Sequence, residues 1–404
     1  MPGPIQSEGQ NSPGSFSKIP GELLAQARRM LHEISGLYLS DSERALDIAR
    51  QVLDMATLAN DKKMMGQSLM EMGRAIRQRA NLLGALDAFG RAAELFEEIE
   101  DTEDLPKALQ AVGTVHSATG DFAKASEFFA RALPLAQANN DPAVLQRIWN
   151  SWGIVYIRIG DYKQALQAFE SCLELLQTFP DPYLESSVLT NVGAIFQRSG
   201  ENVVAMDYFQ RSVAIGRDLS DDRHVASTLI FLADSSFLLE KVPEARGYLR
   251  EAMTTAETHG FKDILAHVLK SLAEIATESG QDAEAIHHLV RARKLLNPAT
   301  DRILLQKVEQ QIGATYLKLG QLDKSAPALK EALRLAEEIG SPQLLYEVNV
   351  LYSELAAKQL DYKLSNTLLH AALEQQKHLF SEANQKAIRE MEVRMAIDTR
   401  KKQS

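Results

Sequence analysis

Written in rows of 40 residues, the chain aligns with itself without a gap, and its small, large and polar positions fall into columns. One column reads Ala45, Ala85, Ala125, Ala165, Ala205, Ala245, Ala285, Ser325 and Ser365. Four positions on, one helical turn later, stand Ala49, Phe89, Phe129, Phe169, Phe209, Leu249, Leu289, Leu329 and Leu369. Three further on stand Val52, Ala92, Ala132, Cys172, Ser212, Ala252, Ala292, Ala332 and Ala372. Spacings of four and three put these columns on one face of a helix, small and large alternating as interlocked packing requires. Ahead of that helix lies another small column, Gly73, Gly113, Gly153, Gly193, Ala233, Ala273, Gly313 and Ser353, on a preceding helix that can touch the first.

Between the two helices runs a turn column of Gly120, Gly160, Gly200, Gly280 and Gly320, where a left-handed residue ends one helix. Asp121, Asp161 and Glu201 follow it, with carboxylates suited to the next N-terminus. The joint between units is marked by Asp61, Asp101, Asp141, Asp181, Asp221, Asp301, Ser341 and Ser381, read as N-caps. Pro142, Pro182 and Pro342 then occupy the first helical position, where a missing N–H costs nothing. Pro134 and Pro327 fall inside second helices and are expected to kink or shorten them. Each unit is therefore helix, tight turn, helix.

Apolar residues make up 45% and charged residues 24%, a balance that buries a continuous core. With 54 acidic against 44 basic residues the formal charge is −10, which disfavours a nucleic-acid partner. The single cysteine, Cys172, cannot form an internal disulfide, and no Cys/His cluster has zinc-ligand spacing, so a cytoplasmic location and no metal are expected. Residues 1–20, rich in Pro, Gly, Ser and Gln, read as a flexible tail without the apolar core of a secretory signal. No stretch of 18 uninterrupted apolar residues occurs, so no membrane insertion is expected.

These columns resemble the tetratricopeptide repeat, W-x2-L-G-x2-Y…A-x3-F…A: Trp149, Trp152 and Val192 stand before Gly153 or Gly193, and Tyr156 and Phe196 after. The resemblance covers 22–381 and implies an all-α, right-handed superhelical solenoid of antiparallel helix pairs. The period of 40 exceeds the family's common 34, and the proline that usually ends the second helix is missing. The chain is thus similar to the longer-repeat subgroup of Pins-type adaptors and bacterial peptide-sensing regulators. Nine units are expected: 22–60, 61–101, 102–141, 142–181, 182–221, 222–261, 262–301, 302–341 and 342–381, the first degenerate, with Glu33 in the Gly column. A capping or linker helix with Ile388, Met391 and Met395 at helical spacing and a basic end is expected over 382–404.

No phosphate loop, G-x-S-x-G or G-x-G-x-x-G is present, and His32-Glu33 lacks the second histidine of a zinc-protease helix. Adjacent His287 and His288 point about 100° apart around a helix and do not readily chelate one ion together. A non-enzymatic chain without cofactor is therefore expected. The resemblance implies that the first helix of each unit lines a concave face. Positions around the Gly column there hold Arg74, Arg77, Lys107, Arg147, Asn150, Arg158, Asn191 and Arg198, then Asp234, Glu274 and Glu278. Arg binds a carboxylate bidentately, and Asn serves both backbone donors and acceptors of an extended peptide. The plainer alternative is that these are solvated helix charges. Two functions fit: an interaction scaffold whose groove holds a protein or peptide ligand such as an acidic segment, or a sensory module of a bacterial signalling system that binds a peptide or small ligand and controls an output protein.

Overall fold

Among the residues described by the computed structural model, 18–34, 37 and 41–377, every regular element is an α-helix. The chain forms two compact units, Met1–Ile195 and Phe196–Ser404. The first holds α1 (Lys18–Ile34), α2 (Ser42–Leu58), α3 (Lys62–Gln78), α4 (Leu82–Glu98), α5 (Leu105–Ala118), α6 (Phe122–Ala138), α7 (Pro142–Ile159), α8 (Tyr162–Thr178) and most of α9 (Pro182–Arg198). The second holds α10 (Asn202–Asp218), α11 (Asp222–Leu238), α12 (Val242–His259), α13 (Lys262–Glu278), α14 (Asp282–Leu295), α15 (Arg302–Lys318), α16 (Leu322–Ile339), α17 (Pro342–Lys358) and α18, described over 362–377. Odd-numbered helices are the first of each pair and even-numbered helices the second. Within each unit a helix packs mainly on its neighbours in the chain, and successive first helices also touch, α5 with α7 and α11 with α13. Contacts of this local kind make a repeat array.

The Gly and Phe columns meet. A Cβ placed on Gly73 would lie 2.4 Å from the Phe89 ring, one on Gly113 2.5 Å from Phe129 and one on Gly153 2.5 Å from Phe169. The ring of the second helix thus fills the space a side chain would need on the first, and Phe129 and Phe169 are fully buried. In the second unit the exchange is milder: Ala233 and Ala273 take the glycine column while Leu249 and Leu289 take the ring column, all of them buried. Cys172 belongs to the same core. Its thiol donates to the Gln146 carbonyl at 3.3 Å, and burial pushes its pKa up to about 12, so it is a packing residue without thiolate chemistry.

Left-handed residues recur at the turns, and they are not confined to glycine. Gly120, Gly160 and Gly200 have φ of 79–85°, while Ala80, Glu240 and Leu360 stand in the same column at φ 59–64°. A strained conformation in an Ala or Leu is held there by the helices on either side. Asp61, Asp141, Asp181 and Asp221 accept the N–H groups of Met64, Val144, Leu184 and His224 at 2.9–3.1 Å. Asp121 and Asp161 cap their helices likewise, through Lys124 and Gln164.

Several sequence expectations need correction. Asp101 accepts from Glu103 and Asp104 within a turn, and α5 opens only at Leu105. The Asp301 carboxylate turns back to the Asn297 N–H at 2.8 Å and caps nothing, and Ser341 makes no side-chain cap bond. Glu201 makes none either; short side chains reach the cap geometry best. Neither proline shortens its helix: α6 and α16 run through Pro134 and Pro327 at 17 and 18 residues. Each gives up one backbone hydrogen bond, which the burial of Ala136 beyond Pro134 and of Leu329 beyond Pro327 offsets. Helix α1 begins at Lys18, within the stretch assigned to the tail, with Pro20 in its first turn, where no hydrogen bond is lost. Residues 1–17, Ser381 and the helix expected over 382–404 lie outside the described residues.

Phe169→Ala should cost about 3–5 kcal/mol, because a fully buried ring leaves a cavity between α7 and α8 that helices cannot close. Hydrogen exchange measured on that variant should rise most in α5–α9, with α15–α17 unchanged. Uniform loosening of the whole array would contradict nearest-neighbour stability.

Candidate functional site

On a first helix, the positions six, three and two before the Gly column and one, four and five after it fall within an arc of about 120°. In the first unit, α3, α5 and α7 bring this arc together around a cavity of about 250 Å³. Its walls are Met70, Arg74 and Arg77 of α3, Lys107, Gln110, Ala111 and Thr114 of α5, and Arg147, Asn150 and Ser151 of α7, with Phe89 of α4.

The cavity opens where a side-chain ladder is interrupted. The position one after the Gly column in one repeat faces the position two before it in the next. In the second unit that pair is hydrogen-bonded: Ser271 donates to Asp234 at 3.1 Å, and Gln311 to Glu274 at 2.8 Å. In the first unit Thr114 and Ser151 pair at 3.4 Å, and Gln110 donates to both at 2.9 and 3.1 Å. Arg74, however, meets Ala111, whose methyl group offers no partner and fills little space.

Four cations and no carboxylate line this cavity. Arg74 is ion-paired with Glu71 on its own helix, and Lys107 with the buried Asp104 at 2.9 Å. Asp104 also accepts from Gln67 at 2.8 Å. Arg77 is exposed and has no ion-pair partner among the described residues. Asn150 Oδ1 is buried without a hydrogen-bond partner among the described residues, and so is Glu71 Oε2. Burial raises the Glu71 pKa above the usual carboxylate range, against the pull of Arg74 in the other direction.

Of the residues singled out by sequence, the structure brings Arg74, Arg77, Lys107, Arg147 and Asn150 to one cavity. Arg158 is exposed in the last turn of α7, and Asn191 is half-buried on α9; neither lines the cavity. In the second unit Arg198 and Glu278 are exposed, whereas Asp234 and Glu274 are tied into a network with Ser271, Lys270 and Gln311, Lys270 reaching Glu274 at 2.6 Å. Sequence reading passed over Gln110, Thr114 and Ser151, which occupy the same columns with uncharged side chains, and Glu71, which stands at the position two before Gly73. The column rule would have found all four. None of the described helices is long and apolar enough to cross a membrane.

The family described as Tetratricopeptide repeat matches residues 64–138, 145–218 and 310–339, and Anaphase-promoting complex subunit 5 matches 224–279. Protein KINESIN LIGHT CHAIN-RELATED 3 of Arabidopsis thaliana is 26% identical over 182 residues, 43% of this chain but only 26% of its own length. The chain therefore spans about a quarter of that relative. The apo quorum sensor NprR of B. thuringiensis is similar in structure at 17% identity and a TM-score of 0.65, covering 79% of this chain and 92% of its own. A Rap protein complexed with Competence and Sporulation Factor is similar at 16% identity and a TM-score of 0.58, covering 89% of this chain and 99% of its own. At these identities the likeness concerns the fold.

The Asp234 network makes stability depend on pH. Burial, first of all, raises the Asp234 pKa to about 6, with Glu274 adding to it and Lys270, Ser271 and Lys307 opposing. A carboxyl whose folded pKa lies above its unfolded value of 3.8 stabilises the fold most below about pH 4 and loses that contribution as pH rises to about 6. Asp234→Asn keeps the Ser271 hydrogen bond and removes the charge. Thermal melts should show the variant more stable than wild type at pH 7–8, by up to about 3 kcal/mol, with the difference shrinking toward pH 4. A constant difference across that range would contradict it.

Proposed function

We propose that this chain, which belongs to the tetratricopeptide-repeat proteins, is a non-enzymatic scaffold that holds a peptide segment of a protein partner against its first helices. The observation that carries this reading is the cation-lined cavity of α3, α5 and α7, where exposed Arg77 and the unpartnered Asn150 oxygen stand ready for a ligand. Extended peptides present a carbonyl and an N–H at each residue, and an Asn amide satisfies either. Excess positive charge selects a segment carrying an acidic group, and it is out of keeping with the chain's overall −10. Arg158 and Asn191 would extend the contact along the first unit. In the second unit Arg198 and Glu278 are the exposed candidates; Asp234 and Glu274 would contribute less, being engaged with Ser271, Lys270 and Gln311. We assign the protein to the cytoplasm, where a lone buried cysteine stays reduced.

A second reading, regulation of another protein through the bound ligand, is favoured by the extent of the structural likeness to the quorum sensor NprR and to the Rap protein complexed with Competence and Sporulation Factor. Ligand-dependent hydrogen exchange in repeats remote from the cavity would favour it over a passive scaffold.

Affinity capture with mass spectrometry identifies the partner, and calorimetry then tests the face. Arg77→Glu with Arg147→Glu should weaken partner binding by about 2–4 kcal/mol at low salt. Stability should change by only about 0.5 kcal/mol, since both side chains are exposed. Glu278→Lys in the second unit should do less. Unchanged affinity in the double variant would remove the cavity from the binding surface.

A further inference from the structure

Arg74 faces the cavity, yet its guanidinium is engaged by Glu71, one turn earlier on α3. That pair is poorly satisfied. The Glu71 side chain is only 14% exposed, and its second oxygen is buried with no partner among the described residues. A carboxylate in this position has lost its water without a full set of donors, so it holds Arg74 less firmly than a well-hydrogen-bonded buried pair would. The neighbouring pair differs in this respect: the Asp104 carboxylate takes Lys107 on one oxygen and Gln67 on the other. Two further groups on the cavity wall lack a partner among the described residues, the Arg77 guanidinium and the Asn150 oxygen.

From this arrangement we infer that the cavity receives the carboxylate of a ligand, and that Glu71 competes with it for Arg74, so that the protein's own carboxylate sets the affinity of the site. The inference rests on the peptide-binding reading and names the group that enters. A ligand carboxylate reaching Arg74 and Arg77 gains two guanidinium forks, and a backbone N–H beside it satisfies the Asn150 oxygen. A guanidinium has donors enough for two carboxylates, but the two anions then repel each other across a poorly hydrated space. Removing the Glu71 charge therefore strengthens the site. An ordinary stabilising pair within one helix predicts the reverse, because its loss would leave Arg74 less well positioned.

The test uses three short alanine–glycine peptides: one with blocked ends and a single glutamate, one with no glutamate and a free terminal carboxylate, and one blocked and uncharged. The chain has two tryptophans, Trp149 and Trp152, both on α7 beside Asn150, so intrinsic fluorescence at low ionic strength reports binding. The acidic peptides should bind about tenfold more tightly than the neutral one. Glu71→Gln should tighten both by about three- to tenfold, and Glu71→Ser should act in the same direction. Arg77→Gln should weaken them about tenfold. Melting curves on each variant confirm that it is folded. Whichever acidic peptide binds more tightly identifies the carboxylate as side-chain or terminal. Weaker or unchanged binding in folded Glu71→Gln overturns the competition. If the neutral peptide binds as well as the acidic ones, the carboxylate assignment fails while the peptide-binding reading stands; if none of the three perturbs the cavity, both fail.

Discussion

In the pairs α3–α4, α5–α6 and α7–α8, a first helix and its second helix can approach each other only because a glycine faces a phenylalanine ring. At Gly73, Gly113 and Gly153 any side chain would overlap Phe89, Phe129 or Phe169. The contact fixes the depth at which each ring sits, and the rings are the largest wholly buried groups of the core. Moving one helix outward by the width of a methyl group would strand that ring against a gap. In the second unit the same volume is divided differently, with Gly313 against Leu329 and alanine in the glycine column where leucine replaces the ring. Cross-repeat ion pairs such as Arg131–Glu97 in the first unit and Arg291–Glu257 in the second lie on the outside and are exposed. Pairs of that kind contribute little, so they follow the spacing and do not set it.

Once the spacing is fixed, so is the face each first helix turns away from its partner. The same positions on that face close it in one unit and leave it open in the other. Where neighbouring repeats place complementary polar groups on it, as with Asp234 and Ser271 or Glu274 and Gln311, the groups bind each other and the face closes. Where a small apolar residue stands opposite a long cation, as Ala111 does opposite Arg74, the ladder breaks and a cavity forms. The cavity in the first unit is thus a local failure of packing between repeats, retained beside rings that pack completely.

The repeat was legible in sequence because it is written in residue volume: columns of Ala, Gly and Phe report helix contacts whatever lies on the surface. Most N-caps were legible for a similar reason, a short acidic side chain at a fixed place. Asp301 was not, because its carboxylate is captured by a turn specific to one joint, after α14 ends early at Leu295. Left-handed Ala80 and Leu360 were hidden too, since their conformation is imposed by the flanking helices and not by their own preference. For the site, charge made Arg74, Arg77 and Lys107 conspicuous, but their partners decide what they can do. That Glu71 engages Arg74 and that Asp104 engages Lys107 depends on rotamers and burial, which no column records.

Close approach at the glycine column orders both the core and the face above it, and alanine substitution tests this by sign. Gly90 and Gly113 both lie within helices, but a Cβ on Gly90 meets nothing within 4 Å while one on Gly113 lies 2.5 Å from the Phe129 ring. Helix propensity alone makes either substitution stabilising by about 0.5–1 kcal/mol. Denaturant unfolding should show that gain for Gly90→Ala, and a loss of about 1–3 kcal/mol for Gly113→Ala. Adding Phe129→Leu, the pairing the second unit already uses with alanine, should recover part of that loss, so that the two changes are less than additive by about 1 kcal/mol. Stabilisation by Gly113→Ala, or strict additivity with Phe129→Leu, would mean that the glycine column does not set the helix spacing.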